Sequence, residues 1–461
     1  MSKGLIKKAV VFGTGKMACG LLGQLLWESG FQTTFVARRP EIADALNENN
    51  GYSVSIVGKA FQRNRVRNCR AISSHDPESI IEAVATADIV FTAVGIDNIP
   101  SIASHIAEGL WRRAEKGGSL LNIIASENLP GAGAYLRHQI ILGCSSSGKA
   151  VLVDKTAGFS AALTHRIMTG GETIEGMLHF TVDNYGDLVI DSRGLVETLP
   201  EMINTSVSTE FDALFMEKLY TRNLAQAVAA YLGHQYGCQY IHEAAKHPKI
   251  APVVEGAIAE AVAAFKTQFP DMNIDIEADA AEAIIRISDP GLCDTVARIT
   301  KGPQRKLAAQ ERLLGPARAA SRHGLPHGNL AVAIAAALSY QDEQDQQSIA
   351  MQQTIASYGV DKILTEVCGL LPHESLAQSI KLHYSNSSVH GKSITVAENE
   401  VLLKGLMNDM HMELSERYER HVVSDVLAGI ARVFEDARIP SFLPILVKKK
   451  AFEQLRQVHG V

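Results

Sequence analysis

The stretch LIKKAVVFGTGKMACGLLGQLLWES, residues 5–29, decides how the rest of the chain is read. Residues 5–12 end in a β-branched and aromatic run that suits a buried strand. Gly13-Thr14-Gly15-Lys16-Met17-Ala18 follows at once, and CGLLGQLLWES then has the composition of a packed helix. This is G-x-G-x-x-A between a strand and a helix. In that setting Gly13 allows the tight turn, Gly15 lets the main chain approach a pyrophosphate, and Ala18 lets the helix lie close on the strand. The first helical turn, from Lys16 and Met17 onward, offers free N–H groups and the positive end of the helix dipole to a phosphate. A glycine pattern alone is a weak signal. With QTTFVA (32–37) as a second strand at the expected distance, it predicts a Rossmann-type α/β dinucleotide-binding domain.

The residues after that second strand indicate which dinucleotide. NAD-binding folds place a carboxylate there for the ribose hydroxyls. This chain has Ala37-Arg38-Arg39 instead. Two guanidinium groups and no carboxylate favour a 2′-phosphate, hence NADP(H) over NAD. The alternative is two arginines on a solvated loop. Strand–helix alternation continues with SVSIV (53–57), CRAI (69–72) and ADIVFTAVG (87–95), the last ending at Val94 and Gly95 where a cofactor would pass. After a helix at about 99–116, LLNIIA (120–125) is a buried strand with Ser126-Glu127-Asn128 at its C-terminal end. That end faces the ligand crevice in open α/β sheets. Asn128 therefore reads either as an oxygen-binding group or as a cap of the next turn. MLHFTVD and DLVIDS flank Asn184-Tyr185-Gly186, which predicts a hairpin extending the sheet.

The candidate chemistry sits in KLYTRNLAQAVAAYLG, residues 218–233. Lys218, Asn223 and Gln226 are polar residues at the head of an apolar helical run. On a regular helix Asn223 lies roughly 140° and Gln226 roughly 80° from Lys218. The three fan round one side and can meet a ligand lying along the helix. A lysine at the edge of a buried site loses solvation, which lowers its pKa and lets it act as a base. The amides can orient a bound oxygen. The alternative is a solvated helix end.

Whole-chain properties bound these readings. A length of 461 residues implies two or three domains, and 46% hydrophobic with 20% charged residues leaves ample core. A net charge of −6 argues against nucleic acid or an anionic membrane surface as partner. No apolar run reaches membrane-span length, and no signal-peptide pattern opens the chain. The six cysteines are scattered without a CxxC pair, so a reduced, cytoplasmic protein without a structural metal is expected.

In their order, VVFGTGKMACG, TAVG, LLNIIASENL, GFSAALTHRI, EKLYTRNLAQAVAAYLG and GLPHGNLAVAIAAAL resemble the polyol-specific long-chain dehydrogenases, the mannitol dehydrogenase family. The likeness runs from about residue 8 to about residue 385. It implies metal-independent hydride transfer between nicotinamide and the C–OH or C=O of an open-chain polyol, keto-sugar or sugar phosphate, of the mannitol-1-phosphate and fructose-6-phosphate kind. By the resemblance Lys218 is the general base, Asn128 and Asn223 hold the alkoxide-like oxygen, and the site lies in the crevice between the first two domains. The family's substrate histidine is Gln226 here. An arginine of the family's glycine-rich turn is Cys19, its acidic ribose ligand is Ala37, its Asp-Arg pair is His165-Arg166, and its P-H-K-N is Pro326-His327-Gly328-Asn329. Arg166, Arg305, Lys306 and His327 are the implied substrate contacts, with Arg305 and Lys306 suited to an anionic group or to a charged surface. His165 is expected to be structural or on the surface, not catalytic.

These departures imply the same reaction type on a different substrate with NADP(H). A sugar–amino-acid conjugate of the mannityl-opine type is one alternative. A non-catalytic NADP-binding sensor or scaffold is the other, and an intact Lys218 with both asparagines argues against it. The expected organisation is a dinucleotide-binding domain over 1–195, a helical domain over 196–385 and an extension over 386–461. ARVFEDARIPSFLPILVKKKAFEQLR in that extension is similar to three-helix modules associated with dimerization, so a homodimer is expected through it.

Overall fold

The first buried strand, β1 (Lys8–Phe12), has four consecutive buried residues because a parallel strand covered on both faces needs apolar side chains at every position. The structure is a computed structural model that describes residues 6–58 and 61–389, together with 411, 421–424 and 426–427. The dimerization module expected over 386–461 therefore lies almost entirely outside the described residues. The remaining strands are β2 (Gln32–Ala37), β3 (Tyr52–Val57), β4 (Gln62–Val66), β5 (Cys69–Ser73), β6 (Ile89–Thr92), β7 (Leu121–Ala125), β8 (Ala157–Leu163), β9 (Met168–Ile174), β10 (Met177–Asp183), β11 (Leu188–Asp191) and β12 (Thr205–Ser208).

Eight of them form one sheet in the order β12-β11-β8-β7-β6-β1-β2-β5. β1 pairs in parallel with β2 on one side and β6 on the other, so the strand order reverses at β1. In open α/β sheets ligands bind outside the carboxyl ends of the strands at such a switch point, and Gly13 begins there. Register fixes the neighbours further along: Ala37 lies opposite Ser73, and Thr92 opposite Ala125. The expected Rossmann-type α/β domain is thus present.

A second sheet of four strands runs β4-β3-β10-β9. It corrects two sequence expectations. Residues 53–57 do not continue the main sheet but pair with β10 in parallel, Ser53 opposite His179. The hairpin turn falls at Glu175-Gly176 between β9 and β10, where both residues take positive φ (50° and 76°), and not at Asn184–Gly186. There the chain instead crosses from the small sheet to β11 of the large one. Aromatic packing accounts for the small sheet's hold on the large one: Tyr52 meets Phe35 and Phe180 edge-on at 6.1 and 5.8 Å. All three rings are almost fully buried, and each contributes on the order of 1.5–3 kcal/mol.

The chain divides into two compact units. The first runs to Arg222 and takes back Asp271–Thr295; the second comprises Asn223–Pro270 and the chain from Val296. In the first, helix Ile276–Ile287 returns to the strand unit through Arg222–Asp279 at 3.1 Å and an Arg286–Asp183 ion pair. The second is helical. Leu224–Gln235, Ala251–Gln268, Leu314–Arg322, Gly328–Leu338 and Ser375–Val389 pack on one another. Their contact faces are rich in alanine (Ala227, Ala229, Ala230, Ala257, Ala261, Ala333, Ala335), which lets helix axes approach closely without side-chain entropy loss. No helix among the described residues is long and apolar enough to cross a membrane.

Candidate active site

Gly13 has φ +108°, and a Cβ there would sit 2.5 Å from the carbonyl oxygen of Ala93, so only glycine fits between β1 and the end of β6. A Cβ on Gly15 would meet nothing within 4 Å. The main chain at Gly15 therefore borders open space, as a pyrophosphate cradle requires. The helical run starts at Lys16, and a five-residue π-helical turn, Ala18–Leu22, follows. Ala18 is fully buried, in keeping with close packing on the sheet.

A cavity of about 560 Å³ opens beside this turn. Gly13, Thr14 and Gly15 line one part, Val94 another, and Arg38, Arg39, Ser74 and His75 the far end. The glycine-rich turn and both arginines thus share one concave surface large enough for a nucleotide. Arg38 and Arg39 are exposed. The nearest carboxylate to the Arg39 guanidinium is Glu41 at 3.9 Å on the surface, a weak pairing. Ser74 and His75 were not identified from sequence. They reach the cavity because β5 ends beside β2, and only the Ala37–Ser73 register reveals that.

Glu127, also unassigned from sequence, is buried at the end of β7. It accepts from the Thr92 hydroxyl at 2.7 Å and from the Val94 N–H at 3.1 Å. Burial raises its pKa, which these hydrogen bonds only partly oppose. Its place is to brace the β6 end, including Gly95 at φ +84°. The neighbouring Asn128 is exposed, and its Oδ1 accepts from Lys218 Nζ at 3.1 Å. The structure thus joins two residues 90 positions apart that had been singled out independently.

Lys218 ends helix Phe211–Lys218, which passes into a π-helical turn, Leu219–Asn223, and then into Leu224–Gln235. The regular-helix spacing assumed from sequence does not hold here. A π turn closes with i→i+5 hydrogen bonds, so its repeat is longer and residues five apart fall nearer one face. Lys218 and Asn223 are five apart. The Asn223 side chain is buried, and its Nδ2 has no hydrogen-bond partner among the described residues. An orphaned amide donor costs about 1–3 kcal/mol unless something occupies it. Gln226 is partly buried on the next turn.

The implied substrate contacts fare unevenly. Arg166 is buried: its guanidinium donates to the Tyr185 carbonyl, to the Gly20 carbonyl at 3.0 Å and to Gln24 Oε1 at 2.9 Å. Those bonds make it a structural tie, which corrects its assignment as a substrate contact. Lys306 is 4% exposed and donates to the Lys301 carbonyl. Burial, then Arg305 and Arg312, push its pKa down to about 6. Its amine meets a main-chain carbonyl, and a contact with substrate remains an expectation from the resemblance. Arg305 is half-exposed and lies 3.2 Å from Glu311, whose other oxygen pairs with Arg312 at 2.9 Å. His327 precedes helix Gly328–Leu338, its Nδ1 3.1 Å from the Leu325 carbonyl. Glu260 receives the N–H groups of Asn329 and Leu330 at that helix start, at 3.0 and 2.9 Å.

A glycine-rich turn at the switch point, a nucleotide-sized cavity and a lysine–asparagine pair beside it define a nicotinamide-dependent dehydrogenase. Comparison with known proteins narrows the class. The mannitol dehydrogenase Rossmann-domain model matches residues 7–204, and the mannitol dehydrogenase C-terminal-domain model matches 211–386. The chain therefore belongs to the mannitol dehydrogenase family and is an oxidoreductase. It is 33% identical over 374 residues to mannitol-1-phosphate 5-dehydrogenase of Bacillus pumilus (strain SAFR-032), covering 81% of this chain and 98% of that one. It is 33% identical over 367 residues to the enzyme of the same name from Oceanobacillus iheyensis, covering 79% and 94%. The fold is similar to that of Pseudomonas fluorescens mannitol 2-dehydrogenase, solved with NAD and D-mannitol. The TM-score is 0.68 at 14% identity, covering 84% of this chain and 92% of that one. It is also similar to a D-sorbitol dehydrogenase, with a TM-score of 0.67 at 14% identity, covering 84% and 94%.

Proposed function

We propose that this protein is an NADP(H)-dependent dehydrogenase that interconverts a secondary alcohol and a ketone on an open-chain polyol, keto-sugar or sugar phosphate. The observation that carries the reading is the Lys218 Nζ–Asn128 Oδ1 contact at 3.1 Å, at the carboxyl end of the sheet that carries the Gly13–Ala18 turn. The nicotinamide supplies the hydride acceptor or donor. Lys218 takes the hydroxyl proton, or returns it in the reductive direction. Asn128 orients the Lys218 ammonium by accepting from it, and its amide nitrogen is left to donate to the reacting oxygen. By the family resemblance Asn223, whose buried Nδ2 has no hydrogen-bond partner among the described residues, is the second donor to that oxygen. Gln226 can donate and accept but cannot titrate near neutral pH, so the proton change is left to Lys218.

The cofactor preference rests on Arg38 and Arg39 lining the cavity where a carboxylate would bind ribose hydroxyls. The names of the relatives support a mannitol-1-phosphate-like substrate, and by the family resemblance Arg305 is the candidate to meet an anionic group on it. A homodimer through 386–461 remains part of the proposal. Truncation near residue 386 should then give a monomer by size exclusion.

Lys218→Ala tests the catalytic part. With the polyol, keto-sugar or sugar phosphate that the unsubstituted protein turns over best, it should lower turnover by about 10²–10⁴-fold while leaving nicotinamide fluorescence on cofactor binding unchanged. Undiminished turnover would remove Lys218 from the mechanism.

A further inference from the structure

The residue before Lys218 points into a buried charge cluster, and the cluster reaches back to the end of β8. Glu217 is 1% exposed. Its Oε1 accepts from the Thr221 hydroxyl and from Arg222 Nη1, both at 2.9 Å. Its Oε2 lies 3.2 Å from His165 Nε2. The other nitrogen of that imidazole, Nδ1, lies 2.8 Å from Asp187 Oδ2. One imidazole ring therefore stands between two carboxylates from different parts of the chain. A neutral ring donates through one nitrogen only, so both contacts are attractive together only when the ring is an imidazolium. The Nε2 contact is not directed as a hydrogen bond, and it acts as charge on charge.

The surroundings favour that cation without duplicating it. Arg222 faces the same pocket and opposes the imidazolium, but it is itself held by Glu217 and by Asp279 at 3.1 Å. Arg286 donates to the His165 carbonyl oxygen at 2.5 Å and is paired with Asp183. Burial works against the charged ring, and the Asp187 and Glu217 carboxylates outweigh it, so the His165 pKa is raised. Asp187 and Glu217 stay below the ordinary carboxylate range in spite of their burial, each held there by His165.

Glu217 and Lys218 are consecutive on one helix, so their side chains leave it about 100° apart. Holding one fixes the direction of the other. Glu217 also grips Thr221 and Arg222, two residues of the π turn that follows Lys218. We propose that His165 is a positioning residue for Lys218: clamped between Asp187 and Glu217, its imidazolium sets the helix turn from which Lys218 reaches Asn128. The proposal rests on the reading of Lys218 as the base, and its test does not need turnover.

The full-length protein is dimethylated reductively with ¹³C-formaldehyde, and the Lys218 methyl signal is assigned by its loss in Lys218→Arg. In the unsubstituted protein that signal should shift as the pH rises above the ordinary histidine value and His165 loses its proton, in a step separate from the titration of Lys218 itself. In His165→Gln the step should vanish and the signal should broaden, reporting a less fixed amine. If His165→Gln does not fold, Asp187→Asn removes the more exposed carboxylate and should move the step to lower pH. Superimposable Lys218 signals in the unsubstituted and His165→Gln proteins across that rise in pH would overturn the proposal. Lys218→Ala with full turnover would instead overturn the base assignment and leave the clamp standing.

Discussion

Two groups of arginines in the strand unit contrast. Arg166, Arg222 and Arg286 are buried, and their guanidinium groups are occupied by carbonyl oxygens, by Glu217 and by Asp183. Arg286 also lies over the Tyr185 ring at 4.0 Å. Arg38 and Arg39 are exposed in a concave wall, and among the described residues Arg39 has a surface pairing with Glu41 at 3.9 Å. A buried guanidinium needs its partners to offset lost hydration, and its burial keeps its remaining donors away from a ligand in solution. An exposed one in a cavity keeps its donors free for a phosphate. The same residue type thus serves architecture or recognition according to what surrounds it.

The largest expected effect breaks the first group. Arg286→Ala leaves Asp183, already pushed up by burial, without its cation in the interior. Removing one partner of a buried pair costs about 3–5 kcal/mol, so urea unfolding followed by tryptophan fluorescence should show a correspondingly lower midpoint. Arg38→Ala should leave the same midpoint within about 0.5 kcal/mol. Equal losses in the two variants would erase the distinction.

A smaller effect sharpens the second group. Arg38→Ala and Arg39→Ala should each weaken NADPH binding by about tenfold or more, the worth of a charge-assisted hydrogen bond to phosphate. NADH binding should be untouched. Raising the salt should shrink the NADPH advantage, because both arginines are exposed. A titration in which NADH binds more tightly than NADPH to the unsubstituted protein would remove the 2′-phosphate role altogether.

How far these distinctions were legible in the sequence follows from their range along the chain. The strand–turn–helix at 8–28 and the strands β6 and β7 were readable from local pattern, whereas Lys218 and Asn128 stood out by residue type and only the family resemblance put them in one site. Arg166 was misread because its neighbours in sequence do not reveal that Gly20 and Gln24 surround it. Ser74 and His75 were missed because strand register, not composition, brings them beside Arg38. The small sheet depends on β3 meeting β10, over a hundred residues away, and its third strand, MTGGETI, is too glycine-rich and exposed to announce itself. The π turn has no compositional signature, since an i→i+5 bond uses the same side chains as i→i+4.

The smallest predicted effect lies between the two groups, at a charge that is buried but titratable. His165 has a folded pKa raised above its ordinary value near 6.5. Its contribution to stability is therefore complete below about pH 6.5 and is lost as the pH rises through the folded value. Asp187 and Glu217 are depressed, so theirs is present above the ordinary carboxylate range and lost as the pH falls through the folded values. Relative to His165→Gln, the unsubstituted protein should lose about 1 kcal/mol of stability as the pH rises through the folded His165 value, the difference between a charge-assisted and a neutral hydrogen bond; groups present in both, such as Lys306 with its lowered pKa, cancel in that difference. The two stability curves should converge on the alkaline side, and an acid limb should remain in both. Thermal unfolding from pH 4 to 9 measures both. A difference between the two proteins that stays the same across this range would mean the imidazole is neutral in the folded protein, and His165 would then belong with Arg166 as a group whose bonding is fixed and not switched by pH.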